Sequence, residues 1–304
     1  MNSIETDFEV IIIGGSYAGL SAATSLGRAL RKVLVIDSGK PCNQQTPHSH
    51  NFLTRDGETP AAITQIALEQ LMMYDTVKLI ADTAIEATIK EVGFRIQTSW
   101  GKRYLAEKLL FATGVKDTMP DIPGFAECWG ISVIHCPYCH GYEVRQQATG
   151  ILGNGDIAYE YGKLINNWTK DITLFTNGVS TLGMEQVIQL RARNINIEET
   201  RIREIVHENG RLKGIALEND ELYHLNALYN RPAFVQHCDL PIKLGCDLTD
   251  AGYINVDSFG RTNISGVYAA GDNTTPMRAV SMSVALGAAV GAFINKDLID
   301  NSYI

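Results

Sequence analysis

The sequence is poor in the residues that would announce a secreted or membrane protein. Six cysteines in 304 residues are too few for a disulfide-built scaffold. They fit a reducing compartment, and a cytoplasmic location is expected; there a close cysteine pair is redox-active or metal-binding more often than structural. The first ten residues carry Glu5, Asp7 and Glu9 and no basic stretch, so no signal peptide is expected. No apolar run reaches the ~20 residues that a membrane helix needs. The longest, Val280 to Ile294, is rich in Ala, Gly and Ser and reads as a tightly packed helix. Basic residues are also in deficit, 26 Lys and Arg against 34 Asp and Glu, a net charge of −8. That balance argues against nucleic acid or an anionic membrane as partner. The length suggests about two domains on a prior of ~150 residues each.

What is present is a pair of βαβ patterns. Val10 to Ile13 is an apolar strand that stops at Gly14-Gly15; Tyr17 to Leu30 reads as a helix and Lys32 to Ile36 as a second strand, ending at Asp37. Asp56 to Tyr74 reads as a polar start followed by a helix, and Val77 to Tyr104 as a small antiparallel insertion. Leu109 to Ala112 is apolar and stops at Thr113-Gly114, and the stretch from Lys116 to Gly124 reads as a linker. A second βαβ unit begins at Thr149, with a strand ending at Gly153, a helix from Ile157 to Asn167 and a strand from Ile172 to Phe175. This looks like an internal duplication. Pro232 to Pro241 reads as the return linker, and the C-terminal segment is expected to complete the first domain. The expected fold is α/β: two Rossmann-like dinucleotide-binding domains of three-layer ββα type, the second inserted in the first. The boundaries are 1–116 plus 241–304 for the first domain and 117–240 for the second.

Four motifs carry chemistry. In Gly14-Gly15-Ser16-Tyr17-Ala18-Gly19, Gly14 and Gly19 match the first and third glycines of G-x-G-x-x-G, and Ser16 replaces the second. Such a turn lets backbone approach a pyrophosphate at a helix N-terminus. Asp37, 18 residues after Gly19, can accept from ribose hydroxyls. In Cys136-Pro137-Tyr138-Cys139-His140, the two thiols can close a small disulfide ring, and a helix start lowers a thiol pKa. Zinc and inert buried thiols are the competing readings, but no second C-x-x-C is present. Gly153, Gly155 and Ala158 match G-x-G-x-x-A, a nicotinamide-type turn. The strand after it ends Thr176-Asn177-Gly178, without a carboxylate for a ribose 2′-hydroxyl or an arginine for a 2′-phosphate. The alternative is a fold element kept for architecture. Last, Gly266 to Asp272 is an apolar strand that stops at Gly271-Asp272.

Taken in order, these four motifs resemble the low-molecular-weight thioredoxin reductase family over essentially the whole chain. The C-x-x-C just before the second glycine turn is the specific feature. The resemblance implies FAD on Gly14, Gly15, Ser16, Ala18 and Gly19, with the adenosine ribose at Asp37 and the loop carrying Ser38, Lys40 and Asn43 nearby. It implies further FAD contacts at Asn51, Thr113, Gly114, Gly271, Asp272, Ala279 and Val280, and a last helix aimed at the flavin. Cys139 matches the flavin-proximal thiol and Cys136 the thiol that exchanges with an external partner. His140 stands where the family has an acid/base Asp, and an imidazole can do that proton work. The loop from His48 to Gly57 is expected to roof the flavin, and no metal site is expected at His48 and His50.

Two departures fall on the nicotinamide side. The family's His-Arg-Arg run is missing after Phe175, and its Ala-x-Gly crossover reads Leu228-Tyr229-Asn230-Arg231-Pro232 here. In these features the chain is similar to a divergent branch that includes gliotoxin-type dithiol oxidases. The resemblance therefore implies an FAD-dependent thiol–disulfide oxidoreductase acting on a thioredoxin-like protein or a small disulfide or dithiol. NADPH and NADH stay open as donors, with Gly153, Gly155 and Ala158 as their only seat. An oxygen-dependent dithiol oxidase is the alternative. A homodimer is implied by the resemblance alone. Cys42, Cys128, Cys238 and Cys246 have no assigned role.

Overall fold

The computed structural model describes residues 7–303. The chain separates into two compact units. Residues 7–44, 52–116 and 234–303 make the first, and residues 45–51 and 117–233 the second.

In the first unit, β1 (Phe8–Ile13) runs into helix α1 (Tyr17–Arg28), which returns to β2 (Val33–Asp37). Helix α2 (Pro60–Leu71) leads to β3 (Val77–Ala81). Its start is set by Thr59, whose hydroxyl accepts from the Ala62 amide at 3.1 Å, and by Pro60 in the first turn. Strands β4 (Ala84–Ile89), β5 (Phe94–Thr98) and β6 (Arg103–Phe111) follow, then β7 (Val115–Asp117). The expected antiparallel insertion needs correction: only β4, β5 and β6 are antiparallel. β3 is a parallel edge strand, in register with β2 from Val33 opposite Val77 to Asp37 opposite Ala81. Its Val77 is buried in the main core, which an exposed insertion would not provide.

The second unit begins with two short elements, α3 (Phe125–Cys128) and β8 (Val133–Ile134), and a single turn α4 (Pro137–His140). The duplicated unit is β9 (Thr149–Leu152), α5 (Gly155–Ile165) and β10 (Ile172–Phe175). Helix α6 (Met184–Arg191) and β11 (Ile195–Glu198) continue it. A three-stranded antiparallel layer of β12 (Ile202–Glu208), β13 (Arg211–Leu217) and β14 (Leu222–His224) precedes β15 (Ala227–Asn230). The parallel sheet has the order β11-β10-β9-β15-β8. Its switch point lies between β9 and β15, the place where ligands of open α/β sheets bind.

The chain then re-enters the first unit through β16 (Phe234–Gln236), the short helix α7 (Leu240–Lys243), β17 (Val267–Ala269) and α8 (Val280–Ser302). β17 pairs in parallel with β6, so the first sheet takes its last strand from the far end of the chain. The return occurs at residues 233–234 rather than the expected 240–241. Here β16 pairs with β7, and Gln236 donates to the carbonyls of Gly252 at 2.8 Å and Asn273 at 3.1 Å. Pro232 marks the turn, but the polar segment after it is tied into the first unit.

Among the described residues, α8 is the one helix long and apolar enough to cross a membrane. Its small-residue face packs on α1 instead. A Cβ at Gly287 would sit 2.1 Å from the Ala18 carbonyl oxygen, and one at Gly291 would sit 2.7 Å from that of Ala22. Ser21 and Ser25 of α1 donate to the α8 carbonyls of Val284 and Ala288 at 2.7 and 3.2 Å. Val290, Ile294 and Leu298 complete the core with Leu20, Leu26 and Val35. The alanine and glycine content of this segment therefore reflects close helix approach.

Candidate active site

In the first unit, the carboxyl ends of β1, β6 and β17 converge. Gly14 takes φ +104°, and a Cβ there would lie 2.2 Å from the Ala112 carbonyl oxygen. A Cβ at Gly19 would lie 1.9 Å from the Gly14 carbonyl oxygen, so α1 meets the turn backbone to backbone. Ser16 caps α1 in extended conformation, and its hydroxyl makes no cap bond, leaving the first-turn amides to an outside acceptor. Asp37 takes the Gly15 amide on one oxygen at 3.0 Å and the Gly39 amide on the other at 3.2 Å. Ser38 and Lys40 lie exposed on the loop beyond it. Asn43 donates to the Tyr17 hydroxyl at 3.2 Å, fixing that loop against α1.

On the other side, Gly114 takes φ +62° and Gly271 φ +97°, and a Cβ at Gly271 would meet Ala18 at 2.9 Å. Asp272 accepts from the Ser283 hydroxyl at 3.1 Å, and Arg278 lies 3.7 Å from its second oxygen. Ala279 caps α8 in extended conformation with no side-chain bond, and Val280 opens the helix. The glycine turn Gly14–Gly19 with Asp37 and Asn43 beside it, Thr113 and Gly114 after β6, and Gly271 and Asp272 with the start of α8 at Ala279 and Val280 thus all lie at the carboxyl ends of neighbouring strands. Asn51 groups with the second unit.

Sequence reasoning passed over Asn273. It is fully buried, donates to the Phe111 carbonyl at 2.9 Å and to Thr113 at 3.5 Å, and its Oδ1 finds no partner. A buried amide after Gly271-Asp272 was the available signal, since such a group is kept where it bridges strand ends or meets a ligand.

In the second unit, the cysteines stand on α4. Cys136 is its cap in extended conformation and Pro137 its first residue. The Cys136 carbonyl accepts from the amides of Cys139 at 3.2 Å and His140 at 3.1 Å. This one turn brings the two Cα atoms to 5.3 Å, and the disulfide Cys136–Cys139 is formed. α4 has four residues, so its dipole is too short for the helix-start lowering of thiol pKa that the sequence suggests. A Cβ at Gly141 would strike the Pro137 carbonyl oxygen at 2.4 Å and the Trp168 ring at 3.0 Å. Trp168 in turn meets Tyr138 edge-on at 5.5 Å. Tyr138 and Tyr142 are exposed on either side of Cys139.

His140 follows directly. Burial, and then the charge of His50, push its imidazole down to about 4. It is neutral at physiological pH and can accept a proton. His50 comes from the 45–51 segment and lies 3.6 Å from Glu143. Residues 48–51 of the loop expected to roof the flavin group with the second unit. Among the described residues no group of three or more His, Cys, Asp or Glu could hold a metal.

The second glycine turn borders a cavity of about 420 Å³ lined by Gly153, Asn154, Ala158, Asn230 and Arg231 among others, and Asn154 ties the turn together. Asn154 accepts on Oδ1 from the amide of Gly155 at 2.9 Å and from the amide and hydroxyl of Thr181 at 2.8 and 3.1 Å. Its amide donates to the Val179 carbonyl at 2.9 Å. The carboxamide thus uses donors that a pyrophosphate oxygen would need. Gly153 and buried Ala158 still frame the turn, and Gly155 takes φ +60°. β10 ends without a carboxylate, while the neighbouring β11 ends on Glu198 and is followed by Glu199. Glu198 is in register with Phe175 and accepts from Tyr223 at 2.9 Å and from the Thr200 amide at 2.7 Å. Glu199 accepts from the Ser180 amide at 2.8 Å.

Comparison with known proteins places this geometry. A profile of the pyridine nucleotide-disulphide oxidoreductase family matches residues 8–287. Thioredoxin reductase sirT of Leptosphaeria maculans is 32% identical over 305 residues, covering 95% of this chain and 93% of that protein. An oxidoreductase from Agrobacterium tumefaciens superposes with a TM-score of 0.90 at 36% identity, over 96% of this chain and 99% of the other. A putative thioredoxin reductase TrxB from Bacillus anthracis gives 0.93 at 31% identity, over 97% and 99%.

Proposed function

The chain belongs to the pyridine nucleotide-disulphide oxidoreductase family as a thioredoxin reductase-like disulfide oxidoreductase, and from that premise we propose that Cys136 and Cys139 are its redox pair. FAD in the first unit is part of this proposal. The fit rests on the cradle there: glycines where any Cβ would collide, uncapped first-turn amides on α1, and Asp37 at the ribose position. The uncapped start of α8 beside Asp272 offers a second set of amides to negative charge. Bound there, the flavin would supply a two-electron store for the disulfide.

The chain's own residues do the thiol work. A substrate thiolate bonds to Cys136 Sγ, the Cys136–Cys139 bond breaks, and its electron pair goes to Cys139. The proton given up by the substrate thiol passes to the neutral imidazole of His140. The second substrate thiolate then attacks the mixed disulfide, closing the substrate disulfide and releasing Cys136. The reverse sequence reduces an external disulfide, because exchange is reversible and potentials set its direction. The observation that carries the reading is the disulfide on α4 next to a neutral histidine.

A specific feature favours the oxidase direction, in which a dithiol is the donor and oxygen the final acceptor. Asn154 takes the Gly155 and Thr181 amides at the second glycine turn, β10 is followed by no arginine for the 2′-phosphate of NADPH, and the neighbouring β11 ends on Glu198 with Glu199 next. Carboxylates repel that group. A homodimer, carried over from the resemblance, and a cytoplasmic location, from the sparse cysteines, belong to the same proposal. The test is an anaerobic titration of the purified protein with NADPH, then NADH, then dithiothreitol, following the flavin's visible absorbance. Bleaching by dithiothreitol with peroxide on admitting air supports the oxidase. Rapid bleaching by NADPH selects the reductase, and bleaching by none of the three sinks the redox reading.

A further inference from the structure

We propose that Asn273 is a positioning residue for the flavin: its carboxamide spans the ends of β6 and β17 and sets the spacing of the two loops that leave them, Thr113-Gly114 and Gly271-Asp272. The inference rests on the FAD reading of the first unit. It gives a role to a residue that neither a motif nor the resemblance designates.

β6 and β17 run in parallel, with Val267 opposite Leu109 and Ala269 opposite Phe111. The ladder stops there, at the bond from the Ala270 amide to the Phe111 carbonyl at 3.1 Å. Beyond it both chains turn through left-handed glycines, Gly114 at φ +62° and Gly271 at φ +97°. β17 is three residues long, so the sheet alone gives these loops little hold. Asn273 takes over where the ladder ends. Its Nδ2 donates to the same Phe111 carbonyl at 2.9 Å and to the Thr113 hydroxyl at 3.5 Å. Its Oδ1 lies 3.9 Å from the point where a Gly271 Cβ would sit, and the Ser283 hydroxyl lies 4.0 Å from that point. Ser283 is the donor to Asp272 at 3.1 Å. One carboxamide therefore reaches both loops.

Its orientation is fixed from two sides. The Phe111 carbonyl can only accept, so the NH2 end must face it and the oxygen cannot exchange places with it. The backbone is held as well, because the Asn273 carbonyl accepts from the Ile254 amide at 2.8 Å and from Gln236 Nε2 at 3.1 Å. The residue is fully buried and its Oδ1 finds no partner. An unpartnered buried oxygen is unfavourable, and an apolar side chain of similar size would avoid it. What the carboxamide alone supplies is a pair of N–H donors across the strand ends. Since the oxygen is enclosed, Asn273 acts on a cofactor through Thr113-Gly114 and Gly271-Asp272 rather than by touching it. Hydrogen bonds weaken steeply as their geometry departs from linear, so a small shift of either loop is felt at the cofactor.

The test uses the full-length protein stripped of flavin, with FAD as probe. Fluorescence titration gives the dissociation constant, and equilibration with a reference dye gives the midpoint potential of the bound flavin. Wild-type protein that takes up no FAD overturns the flavin reading and this inference with it. Asn273→Ala is expected to raise the dissociation constant about 10-fold, the worth of one to two neutral hydrogen bonds. The midpoint potential should move towards that of free FAD, because a looser seat discriminates less between the two redox states. Asn273→Asp keeps the shape but turns a second acceptor on the Phe111 carbonyl, and should weaken FAD at least as much. Asn273→Leu, which fills the space without donors, serves if Asn273→Ala does not fold. Ile96→Ala, in the core of the same unit on β5, is the structural control: it should lower the melting temperature and leave FAD affinity and potential in place. Asn273 variants that bind FAD with wild-type affinity and potential overturn the positioning role alone. So does an Ile96→Ala protein that shifts both quantities as far as Asn273→Ala does.

Discussion

The Gly15 amide donates to the Asp37 carboxylate at 3.0 Å, joining the glycine turn to the end of the second strand. Gly15 has no room for anything larger, since a Cβ would lie 2.7 Å from the Asp37 Cβ. The carboxylate is thereby held at the β2 end with two amides on it. Asp37→Ala should leave the fold intact and lower flavin retention by about 10- to 100-fold, the worth of hydrogen bonds to a charged group. Absorbance of the protein after dialysis measures it; unchanged flavin content would remove Asp37 from the cofactor site.

Cys139→Ser should stay yellow and lose turnover with both dithiols and disulfides, because Cys136 alone can form a mixed disulfide but cannot resolve it. Trapping a stable adduct on Cys136 by mass spectrometry is the positive signature. Full turnover would exclude Cys139 from the reaction.

The pH dependence of stability follows from His140. Its affinity for protons is depressed from 6.5 to about 4 in the folded state, so the unfolded chain binds more protons between those values. The stabilisation is complete above about pH 6.5 and is lost as pH falls towards 4. Urea denaturation of wild type and His140→Asn over this window should show the wild type losing more stability on acidification. Parallel pH curves would contradict the burial of a neutral imidazole.

The α1–α8 contact gives a stability prediction away from the chemistry. Gly287→Ala forces a methyl to within 2.1 Å of the Ala18 carbonyl oxygen and should cost about 1–3 kcal/mol by overpacking. Thermal melts test this. Gly39→Ala, on an open loop with nothing within 4 Å, is the contrast. Its cost should come only from its positive φ.

Much of this was legible along the chain, for reasons that differ by residue. β10 was read at its observed bounds because Ile172 to Phe175 is a short apolar run between polar turns, the pattern of a buried parallel strand. The first glycine turn was legible because backbone contact at Gly14 and Gly19 leaves glycine as the residue that fits. β3 was misread because its exposed edge gives Val77–Ala81 a mixed burial pattern like that of an antiparallel strand. The places of His50 beside Glu143 and of Glu198 beside Tyr223 were not legible. Both reach their places through tertiary contact across 93 and 25 residues to Glu143 and Tyr223, and no local period encodes that. Asn154 lay inside the motif and was still passed over, because the pattern matches glycines and is blind to a side chain that takes up the amides between them.

The pairing of β17 with β6 bears on how the protein is born. When residue 233 leaves the ribosome, the second unit has every strand it needs, while the first still lacks its last strand and the helix that seals α1. An inserted module can thus mature early, with its host waiting open until translation is nearly finished. A stop codon anywhere before Val267 would strand a half-built sheet beside an intact disulfide module, and quality control would meet that exposed β6 edge first.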